Sequence, residues 1–233
     1  METKGMFQVG QMVFDRLDLE TIWKNTIGLV DKNFSCAIWG GSGNGKTTGI
    51  LRLLKALCDC GLRATYVSLE EGHSATMQDA LRREGIIDHY SGKIILAANA
   101  TFEEVVEYFC RRGSPDVAVI DSIDVWKMTP EQFLYMRKKL KNKIIILIMW
   151  SLGSEPKTQS SKDIKYLCDV KLFVKNFMIW PKSRFGGNIP QAIWEERARL
   201  LEHKYFDRLD KMALKLAKAA QNTPEQEGVF ANE

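Results

Sequence analysis

The sequence predicts a single α/β domain, with a mostly parallel central sheet flanked by helices and a C-terminal amphipathic helix. Three observations predict it. Apolar, β-branched runs of strand length alternate with stretches of helical periodicity, the pattern of crossover units around a parallel sheet. A glycine-rich segment, Gly40 to Thr47, joins one such strand to one such helix. Neither internal repeats nor a second set of core elements interrupts the 233 residues, a length suited to one large domain.

The elements follow in order. Residues 18–30 read as a lead-in helix, so residues 1–30 form an N-terminal segment ahead of a core at 31–190. Phe34–Trp39 is a buried strand, and Ile50, Leu51, Leu53, Leu54 and Leu57 mark the next helix by their spacing. Arg63–Ser68 is a second strand, followed by Glu70, Glu71 and a helical pattern through Arg83. Lys93–Ala97 is a third strand. Thr101 then caps a helix that runs to Arg111, with Glu103 and Glu104 in its first turn. Pro115–Ser122 and Lys143–Trp150 are short apolar runs whose β-branched content favours buried parallel strands. Residues 151–162 are polar and predict a flexible loop, and Asp169–Val174 with Phe177–Trp180 predict paired terminal strands. From 191 to 221, Ala198, Leu201, Tyr205, Leu209, Met212 and Leu216 recur at helical spacing, the mark of one amphipathic helix. That helix is expected to pack on the sheet or on a neighbouring subunit. Residues 222–233 read as a frayed tail.

The chemistry begins at Gly40, Gly41, Ser42, Gly43, Asn44, Gly45, Lys46 and Thr47, a complete GxxxxGK[ST] phosphate-binding loop. Its glycines let successive backbone N–H groups point inward at phosphate oxygens, and the helix entered at Thr48 adds its positive dipole end. Lys46 is placed for the β- and γ-phosphates and the Thr47 hydroxyl for Mg²⁺. Asp121, at the carboxyl end of its strand, is the candidate second magnesium group, with Asp124 a turn further on. Glu70 is the candidate base that orients and deprotonates water, with Glu71 in reserve. An acidic pair at a strand–helix junction also suits a simple helix N-terminus.

In this order, the phosphate loop, Tyr66–Glu71 and Val119–Ser122 resemble the RecA-type ATPase core, most closely its RadA and DnaB-helicase branch. The resemblance covers roughly residues 25–190 and implies a RecA-like P-loop NTPase fold that binds ATP and Mg²⁺. Lys182, Ser183, Arg184, Phe185 and Gly186 resemble the K-N-R-F-G segment of RadA. In that family the lysine and arginine reach a neighbour's γ-phosphate, which implies trans-acting roles for Lys182 and Arg184 and a homo-oligomer, ring or filament. Alternate residues of an extended segment face the same way, so 182 and 184 can address one phosphate. One departure stands out. Relatives end the central strand in a glutamine or histidine sensor, where this chain has Trp150, Ser151 and Leu152.

Composition narrows the remaining classes. Apolar residues make up 45% and charged residues 27%, ordinary for a globular protein, and no run approaches a membrane span. The amino terminus carries no signal-peptide pattern, so a cytoplasmic location is expected. Cysteines at 36, 58, 60, 110 and 168 and histidines at 73, 89 and 203 are dispersed. Reduced, buried thiols are expected at Cys36 and Cys168, and Cys58 with Cys60 lacks a second metal-binding pair. A net charge of +4 and a pI near 8.7 support nucleic-acid binding only mildly. The resemblance places a DNA-contacting loop at 151–162, where Lys157, Lys162, Ser160 and Ser161 are candidates for phosphates of single-stranded DNA. The leading expectation is a DNA-dependent ATPase of recombination, repair or replication. An ATP-driven protein switch and a non-catalytic nucleotide-binding assembly protein are the alternatives.

Overall fold

The computed structural model describes residues 3–221. Two short helices, α1 (Met6–Gly10) and α2 (Thr21–Ile27), precede β1 (Ser35–Gly40), and the phosphate loop leads into α3 (Lys46–Asp59). Then follow β2 (Ala64–Ser68), α4 (Ala75–Arg83), α5 (Ile86–Tyr90), β3 (Ile94–Ala98), α6 (Phe102–Cys110) and β4 (Val117–Asp121). The next elements are α7 (Pro130–Lys139), β5 (Ile144–Met149), a small hairpin of β6 (Ser151–Leu152) and β7 (Glu155–Pro156), and α8 (Gln159–Leu167). The chain closes with β8 (Val170–Lys175), β9 (Met178–Ser183), β10 (Gln191–Ala192), α9 (Glu195–Leu201) and α10 (His203–Gln221).

Eight strands form one sheet in the order β10-β9-β8-β1-β5-β4-β2-β3. The six from β3 to β8 are parallel, and β9 and β10 are added antiparallel at one edge. Alternation along β1 divides the interior. Cys36 and Ile38 face a core built with Trp23 and Ile27 of α2 and Ile50, Leu53, Leu54 and Leu57 of α3. Ala37 and Trp39 face the opposite core, with Phe109 of α6, Phe133 of α7 and Ile164 of α8. The central strands β1, β2, β4 and β5 are buried on both faces, which is why their sequences read as apolar runs. Register sets the carboxyl ends side by side: Ser68 pairs with Asp121, and Asp121 with Ile148. The phosphate loop, Glu70, Asp121 and Trp150 all emerge at that end of the sheet.

The structure departs from the sequence expectations at several places. The lead-in helix is confined to Thr21–Ile27. Helix α7 was not anticipated: only Phe133 and Met136 of its ten residues are buried, too few for a clear apolar stripe. Its start was nonetheless legible, since Thr129 and Gln132 form a capping box with Pro130 in the first turn. The single C-terminal helix is two helices parted at Glu202. Ala198 and Phe206 are buried there, while Leu209, Met212 and Leu216 of α10 stay exposed, so that stripe does not pack on the sheet. Residues 151–162 are no flexible loop. The buried Asp124 carboxylate accepts hydrogen bonds from Trp150 N at 2.7 Å and Ser161 Oγ at 2.8 Å, which fastens both ends of the segment. Cys36 and Cys168 are buried as expected, and burial pushes the Cys168 thiol up to about 12. Cys168 caps the carboxyl end of α8. The expected tail at 222–233 lies outside the described residues. Among the described residues, no helix is long and apolar enough to cross a membrane.

Candidate active site

The phosphate loop is shaped by its own glycines and by the neighbouring β8–β9 turn. Gly45 adopts φ +91° at the start of α3, where an added Cβ would also meet Ile193 Cγ2 at 3.1 Å. No side chain caps α3, and its first helical bond runs from Gly49 N to Gly45 O at 2.9 Å. The N–H groups of Lys46, Thr47 and Thr48 therefore lack intrahelical partners, a donor set suited to phosphate oxygens. Asn44 turns its side-chain oxygen to accept the Asn176 N–H at 2.9 Å, which ties the loop to the β8–β9 turn. The Lys46 ammonium donates to Gly40 O at 2.9 Å and Gly41 O at 3.2 Å. Burial lowers its pKa, while the charges of Asp121 and Glu70 act the other way.

Asp121 ends β4 beside this loop. Burial raises its carboxyl from 3.8 to about 6, and the charges of Glu70 and Glu71 add to the rise, whereas the Tyr66 hydrogen bond and Lys46 oppose it. The Tyr66 hydroxyl donates to Asp121 Oδ2, and its own pKa is driven well upward, chiefly by burial. Thr47 and Asp121 line one cavity, and a hydroxyl with a carboxylate is a donor pair that fits a divalent cation. Thr47 and Asp121 would hold Mg²⁺, which would supply charge neutralisation at the phosphates. Asp124, the alternative acid, is committed to Trp150 and Ser161 and serves the frame of the site.

Glu70 and Glu71 both line the cavity that holds the phosphate loop and Asp121, and they differ in what each bonds. Glu71 accepts from Thr76 Oγ1 at 3.0 Å at the start of α4, which Ser74 caps. Glu70 lines the same cavity as the phosphate loop and Asp121, and its Oε1 accepts the indole N–H of Trp150. That cavity measures about 750 Å³. Lys182 and Arg184 are not in it. They lie at the far end of β9, where Lys182 pairs with Lys171 and Ser183 with Val170, near the start of β8 rather than its end. Both are exposed. Arg184 meets Asp169 at 3.3 Å, and Arg137 reaches the other oxygen of that carboxylate at 3.2 Å.

Comparison with known structures bears on the fold. The flagellar accessory protein FlaH of Methanocaldococcus jannaschii matches with a TM-score of 0.54 and 16% identity, over 76% of this chain and 94% of that one. A KaiC-like protein of Pyrococcus horikoshii OT3 gives a TM-score of 0.54 and 16% identity, over 77% of this chain and 98% of that one. The chain has a RecA-like fold. No protein-family model and no curated protein matches the sequence. The likeness is one of fold and does not single out the RadA and DnaB branch.

In this RecA-like frame the cavity has a wall that sequence reasoning missed. Phe177, Ile193 and Trp194 line it together with Met77 and Arg83. Phe177 and Trp194 meet edge to face, with ring centroids 5.6 Å apart, and the Arg197 guanidinium lies 5.3 Å from each ring. Phe177 projects from a tight turn in which Asn176 and Phe177 both take positive φ, 52° and 58°. The signal available beforehand was the shortness of the connection between two predicted strands, which pointed to a turn but not to the wall it builds.

Proposed function

We propose that this protein is a magnesium-dependent ATPase working as a homo-oligomer, ring or filament, whose nucleotide site is completed by a neighbouring copy. The observation that carries the reading is one cleft in which uncapped helix amides, Lys46, Thr47, Asp121 and Glu70 converge. The loop amides and Lys46 bind and orient the phosphates. Glu70 accepts the proton of a water whose oxygen bonds to the γ-phosphorus as the bond to the bridging oxygen breaks and ADP leaves. Phe177, Ile193 and Trp194 offer an apolar and aromatic wall for the nucleoside.

Lys182 and Arg184 complete the site in trans. They are exposed at the opposite end of the sheet from their own phosphate loop, so only another copy brings them to a γ-phosphate. A guanidinium in that role is worth about 10³–10⁵ in rate. Single-stranded DNA is the proposed effector. The exposed Lys157 beside the half-exposed Trp150 offers a cation next to a stacking surface, with Lys162 on α8 nearby in sequence. Ser161 is withdrawn from this role by its bond to Asp124. A second reading, an ATP-driven switch acting on a protein partner, is favoured by fold neighbours that include a flagellar accessory protein and a KaiC-like protein.

The deciding experiment measures ATP turnover with and without single-stranded DNA at low salt, beside oligomer size in ATP by light scattering. Stimulated turnover supports the DNA reading. Nucleotide-dependent oligomers with turnover indifferent to DNA support the switch. An assembled form that binds ATP and releases no phosphate refutes the enzyme and leaves an assembly protein.

A further inference from the structure

Trp150 stands where the resembled family has a polar sensor, and both its main chain and its ring are engaged. Its main-chain N–H donates to Asp124 at 2.7 Å, and its carbonyl accepts from Lys157 N at 2.9 Å, which closes the β6–β7 hairpin. Its ring N–H donates to Glu70 Oε1, across 80 residues of sequence. The Lys157 ammonium lies 5.1 Å from the ring centroid. The strand ends of β2 and β5 are separated by β4, so the bond from Trp150 to Glu70 reaches across the end of the intervening strand, a span that suits a large side chain.

We propose that Trp150 is a positioning residue for Glu70, and that Lys157 acts through the indole. This deepens the ATPase reading and rests on Glu70 being the base. A glutamate on a turn has several rotamers, only some of which aim an oxygen at the water. Fixing Oε1 on a donor anchored by main-chain bonds leaves Oε2 as the proton acceptor in one orientation. A cation over the ring face draws π density toward itself and makes the ring N–H a stronger donor. The missing glutamine or histidine is thereby replaced by a donor that works on the base instead of on the phosphate.

The test compares steady-state ATP turnover of the full chain with that of Trp150→Phe, Trp150→His, Lys157→Met and the Trp150→Phe/Lys157→Met double variant, all without DNA. Trp150→Phe keeps a ring and loses the donor. Its kcat should fall about tenfold, the rate equivalent of one charge-assisted hydrogen bond, while KM for ATP changes less than about twofold because the loop is untouched. Trp150→His, which retains a ring N–H, should recover part of the loss. Lys157→Met should lower kcat about threefold in the parent and add nothing in the Trp150→Phe background, since coupled groups are non-additive. An unchanged kcat in Trp150→Phe, a loss appearing only in KM, no recovery with histidine, or additive losses in the double variant would each overturn the proposal. Glu70→Gln separates it from the reading beneath: parental turnover there removes Glu70 as base, whatever Trp150 does.

Discussion

Replacing Asp121 with asparagine should make the nucleotide-free protein more stable while removing its activity. The folded protein holds this carboxyl at about 6 against an ordinary 3.8, chiefly because burial disfavours the anion. At about 1.4 kcal/mol per pKa unit, ionised Asp121 costs the folded state about 3 kcal/mol, a ceiling for what asparagine can recover. The sign is fixed by which state holds its proton more tightly. Below pH 3.8 both folded and unfolded chains carry the proton, and the cost is absent. Between 3.8 and 6 the unfolded chain ionises first, so stability falls as pH rises, and above 6 the cost is complete. Asparagine is neutral throughout and can still accept the Tyr66 hydroxyl. Urea unfolding without nucleotide or magnesium, followed by tryptophan fluorescence, should place Asp121→Asn above the parent by up to about 3 kcal/mol at pH 7.5. At pH 5 the gain should shrink to about half of that. A variant less stable than the parent at pH 7.5, or a gain equal at both pH values, would refute the burial argument.

Three further outcomes follow from the geometry. Lys46→Ala should bind no ATP by calorimetry and Arg184→Ala should bind it normally without turnover; mixing the two inactive proteins should restore a fraction of parental hydrolysis, because some interfaces then pair an intact loop with an intact arginine. Gly28→Ala should cost about 3 kcal/mol in urea unfolding, since its φ is +81° and the new Cβ would lie 2.1 Å from Phe185 O. Its turnover should fall as well, because Phe185 directly follows Arg184. Trp23→Ala, at a side chain only 1% exposed beneath the sheet, should cost about 3–5 kcal/mol by the same assay, with a melting temperature lowered to match.

How much of the site could be read in advance depended on how local each determinant was. The phosphate loop was legible because eight consecutive residues specify it and the flanking strand and helix confirm it. Asp121 was legible as the last residue of an apolar run. The choice between Glu70 and Glu71 was not, since it turns on what each reaches: Thr76 five residues away for Glu71, Trp150 for Glu70. Residues 151–162 misled for the opposite reason. Their polar composition suits a solvated loop, yet a single buried carboxylate from another part of the chain satisfies Ser161 and Trp150 and orders them.

The chain's order of residues determined the α/β class, the glycine-rich loop between β1 and α3, the acid at the end of β4 and the placing of Lys182 and Arg184 on one face of an extended segment. Each depends on backbone preference, apolar periodicity or short spacing, quantities set within about ten residues. Only the tertiary structure decided that Tyr66 would bond Asp121, that Asn44 would clasp the β8–β9 turn, that Phe177 and Trp194 would wall the cleft, and that the Trp150 indole would bond Glu70. Those partners lie on different strand ends or turns, and what joins them is sheet order and register. A polar side chain in a sequence does not reveal its partner, because the partner is chosen by which strands the core packs side by side.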